Sequence, residues 1–304
     1  MFIVELLYNL KKKIKKIYRD YFTVEGTYTS LLPDRIYIKK LYKKRMGKEL
    51  DLKNPTTYNE KLNWLKLYDR CPEYTMMVDK YAVRDFVKKT IGEKYLIPLI
   101  GSWNSVEEIE FNELPDKFVL KCNHDNGVII CKNKSILDIE KVKEDLTYHL
   151  SRDYYKKARE WPYKNVRRKI ICEKYMEDLN EKELTDYKFF CFGGEPKVVC
   201  IIKARSSEPT IDFFDMDFNH LTLKDKFPNA NKKIDKPEGF SEMVGIAKKL
   251  SSGIPHVRID LYYINGEVYF GEITFYDDAG YGYKEPATWE RQLSDWIVLP
   301  KKRI

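Results

Sequence analysis

The apolar positions of this chain change period several times, and each change marks an element. Ile3, Leu7, Leu10, Ile14, Ile17 and Tyr21 recur every three or four residues, with Lys11, Lys12, Lys13, Lys15 and Lys16 between them. That pattern predicts a basic amphipathic helix, and residues 1 to about 48 read as helical and basic throughout. Thr57 is placed to cap a helix carrying Leu62, Trp64, Leu65 and Leu67, with Glu60 three residues on. A further helix is expected from Met77 to about Thr90, ended by Gly92, and Leu96–Ile100 reads as a short buried strand. From Lys117 onward the pattern turns to β structure, with strands predicted at 117–122, 128–132, 169–176, 186–192 and 197–203. A charged, helix-like stretch from Asp138 to Glu160 interrupts them. A helix over 239–252 places Met243, Ile246, Ala247 and Leu250 on one side. No internal repeat and no low-complexity linker separates these segments. Helices and strands alternate irregularly, which predicts an α+β or mixed α/β architecture.

Two acids near the C-terminal end stand out. Asp260 lies in Val-Arg-Ile-Asp-Leu-Tyr-Tyr and Glu272 in Tyr-Phe-Gly-Glu-Ile-Thr, with an Asn265-Gly266 turn between them. The turn and its flanks read as a β-hairpin. A strict two-residue turn pairs Ile264 with Glu267 and sends the two carboxylates to opposite faces. A three-residue loop with Gly266 as a bulge pairs Tyr263 with Glu267 instead. That second register collects Val257, Ile259, Leu261, Tyr269, Ile273 and Phe275 on one face, and Arg258, Asp260, Glu272 and Thr274 on the other. It sorts the hairpin into a core side and a polar side, and is the register expected. Two carboxylates so placed suit Mg²⁺, which is commonly held by one or two of them plus substrate phosphates. A salt bridge from Arg258 to one of the acids accounts for the same residues.

Composition narrows the field. The chain has 304 residues, of which 43% are apolar and 23 are tyrosines, so it can bury one large core or two ordinary domains. Lysine and arginine exceed the acids by 55 to 47. That surplus is mild and evenly spread, which fits phosphate-bearing ligands or an anionic surface and argues against nucleic acid. The six cysteines form no C-x-x-C pair, so a reduced, cytosolic chain is expected. No stretch reaches the apolar length of a membrane span. The basic stripe over residues 1–20 either rests on lipid at the inner face of the membrane or packs against protein. Glu5 and Asn9 interrupt its apolar run, and no small-residue cleavage site follows, so a signal peptide is not expected.

Other segments carry candidate chemistry. Lys121 ends a strand facing away from Phe118 and Leu120. The loop Asn123–Gly127 offers backbone N–H groups for phosphate, or is an ordinary hairpin connection. His124 reads as a loop histidine with local hydrogen bonds. Glu173 ends a buried strand, where it either meets an adenine amino group, with the backbone near Tyr175 and Met176 on the ring, or leaves the sheet for solvent. Asp186 and Lys188 share a strand face, suited to ribose and phosphate or to a cross-strand ion pair.

Taken in order, Lys121 with its loop, Glu173-Lys-Tyr-Met, Asp186-Tyr-Lys, Arg258-Ile-Asp and Glu272-Ile-Thr resemble the ATP-grasp superfamily. Asn54-Pro-Thr-Thr-Tyr-Asn-Glu-Lys-Leu-Asn-Trp-Leu-Lys-Leu-Tyr, Asp79-Lys-Tyr-Ala-Val-Arg, Phe118-Val-Leu-Lys-Cys-Asn-His and Asp186-Tyr-Lys-Phe-Phe-Cys-Phe are similar to its teichuronopeptide (TupA-like) branch, over roughly residues 50–299. The resemblance implies an α+β ATP-grasp fold, two subdomains gripping a nucleotide. The divisions it implies are the amphipathic helix 1–22, a helical region 23–110, a lid and hinge 111–192, and a C-terminal subdomain 193–304. It further implies that Lys80 and Lys121 contact ATP phosphates, with Asn123 to Gly127 closing over them. Glu173, Lys174 and Met176 would hold adenine, Asp186 ribose and Lys188 a phosphate. Asp260 and Glu272 would bind Mg²⁺, and Arg258 the transferred phosphoryl group. Thr274 stands where the superfamily usually has Asn, and Asp125-Asn126 where the branch has small residues. The implied activity is a carboxylate–amine ligase of envelope polysaccharide, with Arg205 and Asp212–Asp217 (or a mere surface loop) on the acceptor side. A kinase acting on a sugar hydroxyl, or a glycosyltransferase using Asp215-Met216-Asp217 as a metal motif, are the alternatives.

Overall fold

A computed structural model of the protein describes residues 32–303, except 180, 182, 205 and 206. The basic stripe over residues 1–20 and Arg205 thus lie outside the described residues. Chain order is α1 (Asp34–Met46), α2 (Tyr58–Tyr68), α3 (Glu73–Val78), α4 (Val83–Thr90), β1 (Leu99–Trp103), β2 (Phe118–Cys122) and β3 (Val128–Cys131). Next come α5 (Ile139–Ser151), α6 (Tyr155–Ala158), β4 (Ile170–Lys174), β5 (Asp186–Phe192), β6 (Glu195–Lys203) and β7 (Thr210–Phe214). The chain closes with α7 (Phe240–Leu250), β8 (His256–Ile264), β9 (Glu267–Thr274) and α8 (Thr288–Asp295).

The strands form two antiparallel sheets, one in the order β1-β4-β2-β3 and one in the order β7-β6-β5-β8-β9. The smaller sheet has its own core, where Phe118, Leu120 and Cys122 meet Val142 and Leu146 of α5. The larger sheet is built around β5, buried along its whole length between β6 and β8. That central position explains the nearly unbroken apolar run after Lys188. One side of the larger sheet is covered by α7 through Phe240, Met243, Ile246, Ala247 and Leu250. Helix α2 starts at the cap expected at Thr57, and the cap is a full box in which Glu60 accepts from the Thr57 N–H in return.

Three elements differ from the sequence reading. The helix expected from Met77 to Thr90 is two helices, α3 and α4. Asp79 Oδ1 accepts from the Tyr81 and Ala82 N–H groups at 2.8 and 3.2 Å, an alternative to the helical ladder that breaks it beside Lys80. The strand expected at Leu96–Ile100 runs instead from Leu99 to Trp103: a 3₁₀ turn ends at Tyr95, Leu96 makes only an isolated bridge with Phe270, and Pro98 has no N–H to add to a ladder. It is an edge strand, half-exposed rather than buried. The acidic stretch from Asp212 is not a surface loop at its start: Asp212–Phe214 belong to β7, with Asp212 buried.

Candidate active site

The hairpin of β8 and β9 brings Asp260 and Glu272 to one face, as expected, but not by the expected pairing of Tyr263 with Glu267. Asn265 and Gly266 both have positive φ, at 52° and 87°, and form a strict two-residue turn that pairs Ile264 with Glu267. The bulge lies further along, at Gly271. Leu261 pairs with Phe270 and Asp260 with Glu272, so Gly271 is the extra residue. A Cβ there would come within 3.0 Å of the Asp260 carbonyl oxygen, which is why glycine suits the position. Short of the bulge the faces are reversed relative to the expected register. Val268 and Phe270 point inward, and Tyr269 is half-buried opposite Tyr262. Beyond it Arg258, Asp260, Glu272 and Thr274 share a face, as expected.

That face carries alternating charges. Asp260 is buried, and both its oxygens are engaged: Oδ1 by Arg258 Nε at 2.7 Å, Oδ2 by Arg258 at 2.9 Å and by Lys188 Nζ. Lys188, on the adjacent strand β5, also lies 3.9 Å from Asp186. Arg258 continues to Asp277 at 2.6 Å and to Glu272 at 3.5 Å. Glu272 is half-exposed, with Lys80 3.8 Å away and Thr274 Oγ1 at 3.4 Å. Burial alone would raise the Glu272 pKa, but Lys80, Lys188, Arg258 and Lys121 together hold it down to about 2. In chain order the site residues on this sheet are Asp186, Lys188, Arg258, Asp260 and Glu272, with Lys80 reaching in from the α3–α4 break.

The smaller sheet faces this cluster with a second set. Lys121 Nζ meets Glu173 at 2.6 Å, and Arg84 meets the other Glu173 oxygen at 3.4 Å. Lys174 is exposed and Met176 half-buried just past them. Asn123 is fully buried. Its N–H donates to the Lys169 carbonyl, and its side chain joins Asp79 at 2.7 Å, the Arg167 carbonyl and the Lys169 N–H. Its carbonyl accepts from the Lys80 N–H at 3.1 Å, so Asn123 fixes where Lys80 stands. Gly127 donates to Asp125 Oδ1 at 2.9 Å, and a Cβ on it would meet the His149 ring at 2.3 Å. Asp125 is bonded to His149 Nδ1 at 2.5 Å and lies 3.7 Å from the Arg152 guanidinium. Burial works against its charge, but the His149 and Gly127 bonds keep its pKa below the ordinary value. His124 is a buried local partner, bonded to the Arg152 carbonyl.

Arg258, Glu272, Thr274, Lys80 and Asp125 line a cavity of about 490 Å³. Several of its determinants are not evident from the sequence. Asp277 is buried between Arg258 and Lys284, and those two cations keep its carboxyl well below the usual range despite burial. Its signal was the Asp277-Asp278 pair just beyond β9. Asp225, Asp277 and Asp278 bring three carboxylates within 4.8 Å of one another, and Lys284 Nζ stands among them at 2.5, 3.0 and 3.9 Å. The lysine supplies the positive charge there. Asp260 and Glu272 are the other carboxylates that could hold a hard cation. They are opposed on one face of adjacent strands, and Glu272 opens to the cavity. Asp215-Met216-Asp217 is a turn, in which Asp215 Oδ1 accepts from the Asp217 and Asn219 N–H groups at 3.0 and 2.8 Å.

Two antiparallel sheets with charged faces at a shared cleft are the arrangement of an ATP-grasp fold, and the sequence match agrees. The chain belongs to the TupA-like ATP-grasp family, whose model matches residues 60–298. Comparison with curated proteins finds no match. Among solved structures, D-alanine–D-alanine ligase from Bacillus anthracis is similar at 17% identity and TM-score 0.43, over 80% of this chain and 69% of that one. The same ligase complexed with ATP gives 15% identity and TM-score 0.39, over 66% of this chain and 54% of that one, so the chain spans about half its length. D-cycloserine synthetase DcsG gives 13% and 0.40, over 73% and 69%. Among the described residues no helix is long and apolar enough to cross a membrane.

Proposed function

We propose that the chain is an ATP-dependent carboxylate–amine ligase. The observation that carries this reading is the pairing of Asp260 with Glu272 on one face, with Lys80, Lys188 and Arg258 close by and a cavity alongside. Asp260 and Glu272 would hold Mg²⁺, which when bound draws electron density from the phosphate oxygens. Lys80, Lys121 and Lys188 neutralise the triphosphate, and Arg258 meets the transferred phosphoryl group. Glu173, Lys174 and Met176 receive adenine and Asp186 the ribose. The γ-phosphoryl group passes to a substrate carboxylate, ADP leaves, and an amine displaces phosphate from the acyl-phosphate to give an amide. Such chemistry needs positioning and charge compensation rather than a protein nucleophile.

The substrate acid we propose is a uronic-type carboxylate of envelope polysaccharide, processed on the cytoplasmic side where ATP is present. Asp260→Asn and Glu272→Gln are each expected to abolish acid-dependent ADP release while circular dichroism and Tm report an intact fold. Unchanged ADP release in both variants would remove the role assigned to the pair. A requirement for amine in amide formation separates the ligase from a kinase, which would release ADP with a hydroxyl acceptor alone.

A further inference from the structure

Among the described residues Glu160 is a buried acid whose carboxylate has no hydrogen-bond or ion-pair partner. It follows Arg159, a non-glycine residue with φ of 56° held by Asp34 at 3.5 Å and by the Tyr37 ring at 4.4 Å from its guanidinium. That left-handed step ends α6 and turns Glu160 inward, where it is only 6% exposed and lines the cavity. Among the described residues its carboxylate makes no hydrogen bond and no ion pair. The nearby Lys66 does not supply one: its Nζ is bonded to Asn63 Oδ1 at 3.0 Å and to the Ala158 and Ala279 carbonyls. A buried acid without a partner is costly, and such groups are characteristically kept for a ligand.

The rest of the cavity indicates which ligand. Arg258 and Glu272 form the wall on the metal side, and both act electrostatically on Glu160. Tyr154 and Tyr163 stand beside it, and the exposed Arg45 and Lys157 also line the cavity. Neither of those two cations pairs with an acid among the described residues. The cavity thus offers one orphan carboxylate within and two unpaired cations toward solvent.

Resting on the ligase reading above, we infer that this cavity takes the amine substrate as an amino acid. Its ammonium is received by Glu160 and its carboxylate by Arg45 and Lys157. Glu160 accepts one proton from the ammonium, which frees the nitrogen lone pair. The nitrogen then bonds to the acyl carbon, the carbon–oxygen bond to phosphate breaks with its electron pair, and the second proton leaves with the phosphate. Burial raises the Glu160 pKa, Lys66, Lys157 and Arg258 draw it back, and Glu272 adds to the rise; a base so placed titrates nearer neutrality than an ordinary carboxylate.

Ligand-observed NMR on the full chain tests this, with Mg²⁺, a non-hydrolysable ATP analogue and each of the protein amino acids as probe. The wild type is expected to bind at least one amino acid. Glu160→Gln should weaken that binding by about tenfold or more, with affinity for the ATP analogue held within about twofold. The double variant Arg45→Met with Lys157→Met, both exposed, should weaken it without touching the core. Analogue binding with no amino acid bound, or amino acid binding unchanged in either variant, overturns the inference and leaves the ligase reading standing. Failure of the wild type to bind the analogue overturns both.

Discussion

Arg258 is held from two sides, by Asp260 and by Asp277, and Asp277 is shared with Lys284. The guanidinium therefore stands in one orientation, presented to the cavity that Glu272 lines. Removing the Asp277 charge would leave two buried cations short of a counter-ion. Asp277→Asn is expected to destabilise the protein by about 3 kcal/mol, read as a lowered urea midpoint, because breaking a buried pair strands its partner. Acid-dependent ADP release should fall with it, since Arg258 loses its anchor. Residues of this kind were hard to single out in the sequence, where Asp277 shows only as half of an Asp-Asp pair. Asp260 and Glu272 were legible because a hairpin fixes which side chains face each other. Asp277, Lys284 and Glu160 depend on segments far apart in the chain, so nothing in local spacing distinguishes them from surface charges.

At the scale of elements, β8 is tied to helix α2 by one buried histidine. Tyr58 O–H donates to His256 Nε2 at 2.9 Å, and His256 Nδ1–H donates to the Cys191 carbonyl at 2.9 Å. Both bonds use the neutral ring, and burial pushes its pKa down from 6.5 to about 4. The unfolded chain therefore binds the extra proton first. Stability from this site is complete above about pH 6.5 and is lost as pH falls toward 4, by about 3 kcal/mol in all. Urea unfolding at pH 7 and pH 4.5 should show that loss in the wild type and a smaller one in His256→Gln. Much of this level was readable in advance. The Thr57 cap, the strands of both sheets other than β1 and β7, and helix α7 follow from caps and periodicity. The helix break at Asp79 was not, because a side chain competing for backbone N–H groups leaves the apolar spacing intact. The expected register, Tyr263 with Glu267, does not form, and Asp260 and Glu272 share a face for another reason. The Asn-Gly turn is an ordinary two-residue one, and the bulge sits at Gly271, where a single glycine between Phe270 and Glu272 gave no sign of it.

For the whole molecule, the sequence led to the right class because several weak motifs fell in one order along the chain. The cavity's shape was beyond it, being made by the ends of α1, α6 and β9 and by the segment after β9. One consequence follows from the way Asp260 is enclosed. With Lys188 and Arg258 already clasping its oxygens, a bare divalent ion arriving from solvent finds that seat taken. Triphosphate is what can draw those two cations away, since it offers them more negative charge than one carboxylate does. Magnesium alone is thus expected to bind feebly in calorimetry and to gain about tenfold or more once an ATP analogue is present, the coupling being reciprocal. Equal magnesium affinity with and without the analogue would mean that the clasp never opens. If Asp260 and Glu272 hold the ion as proposed, entry of ion and nucleotide would be a joint event, and an ion that comes by itself would be turned away.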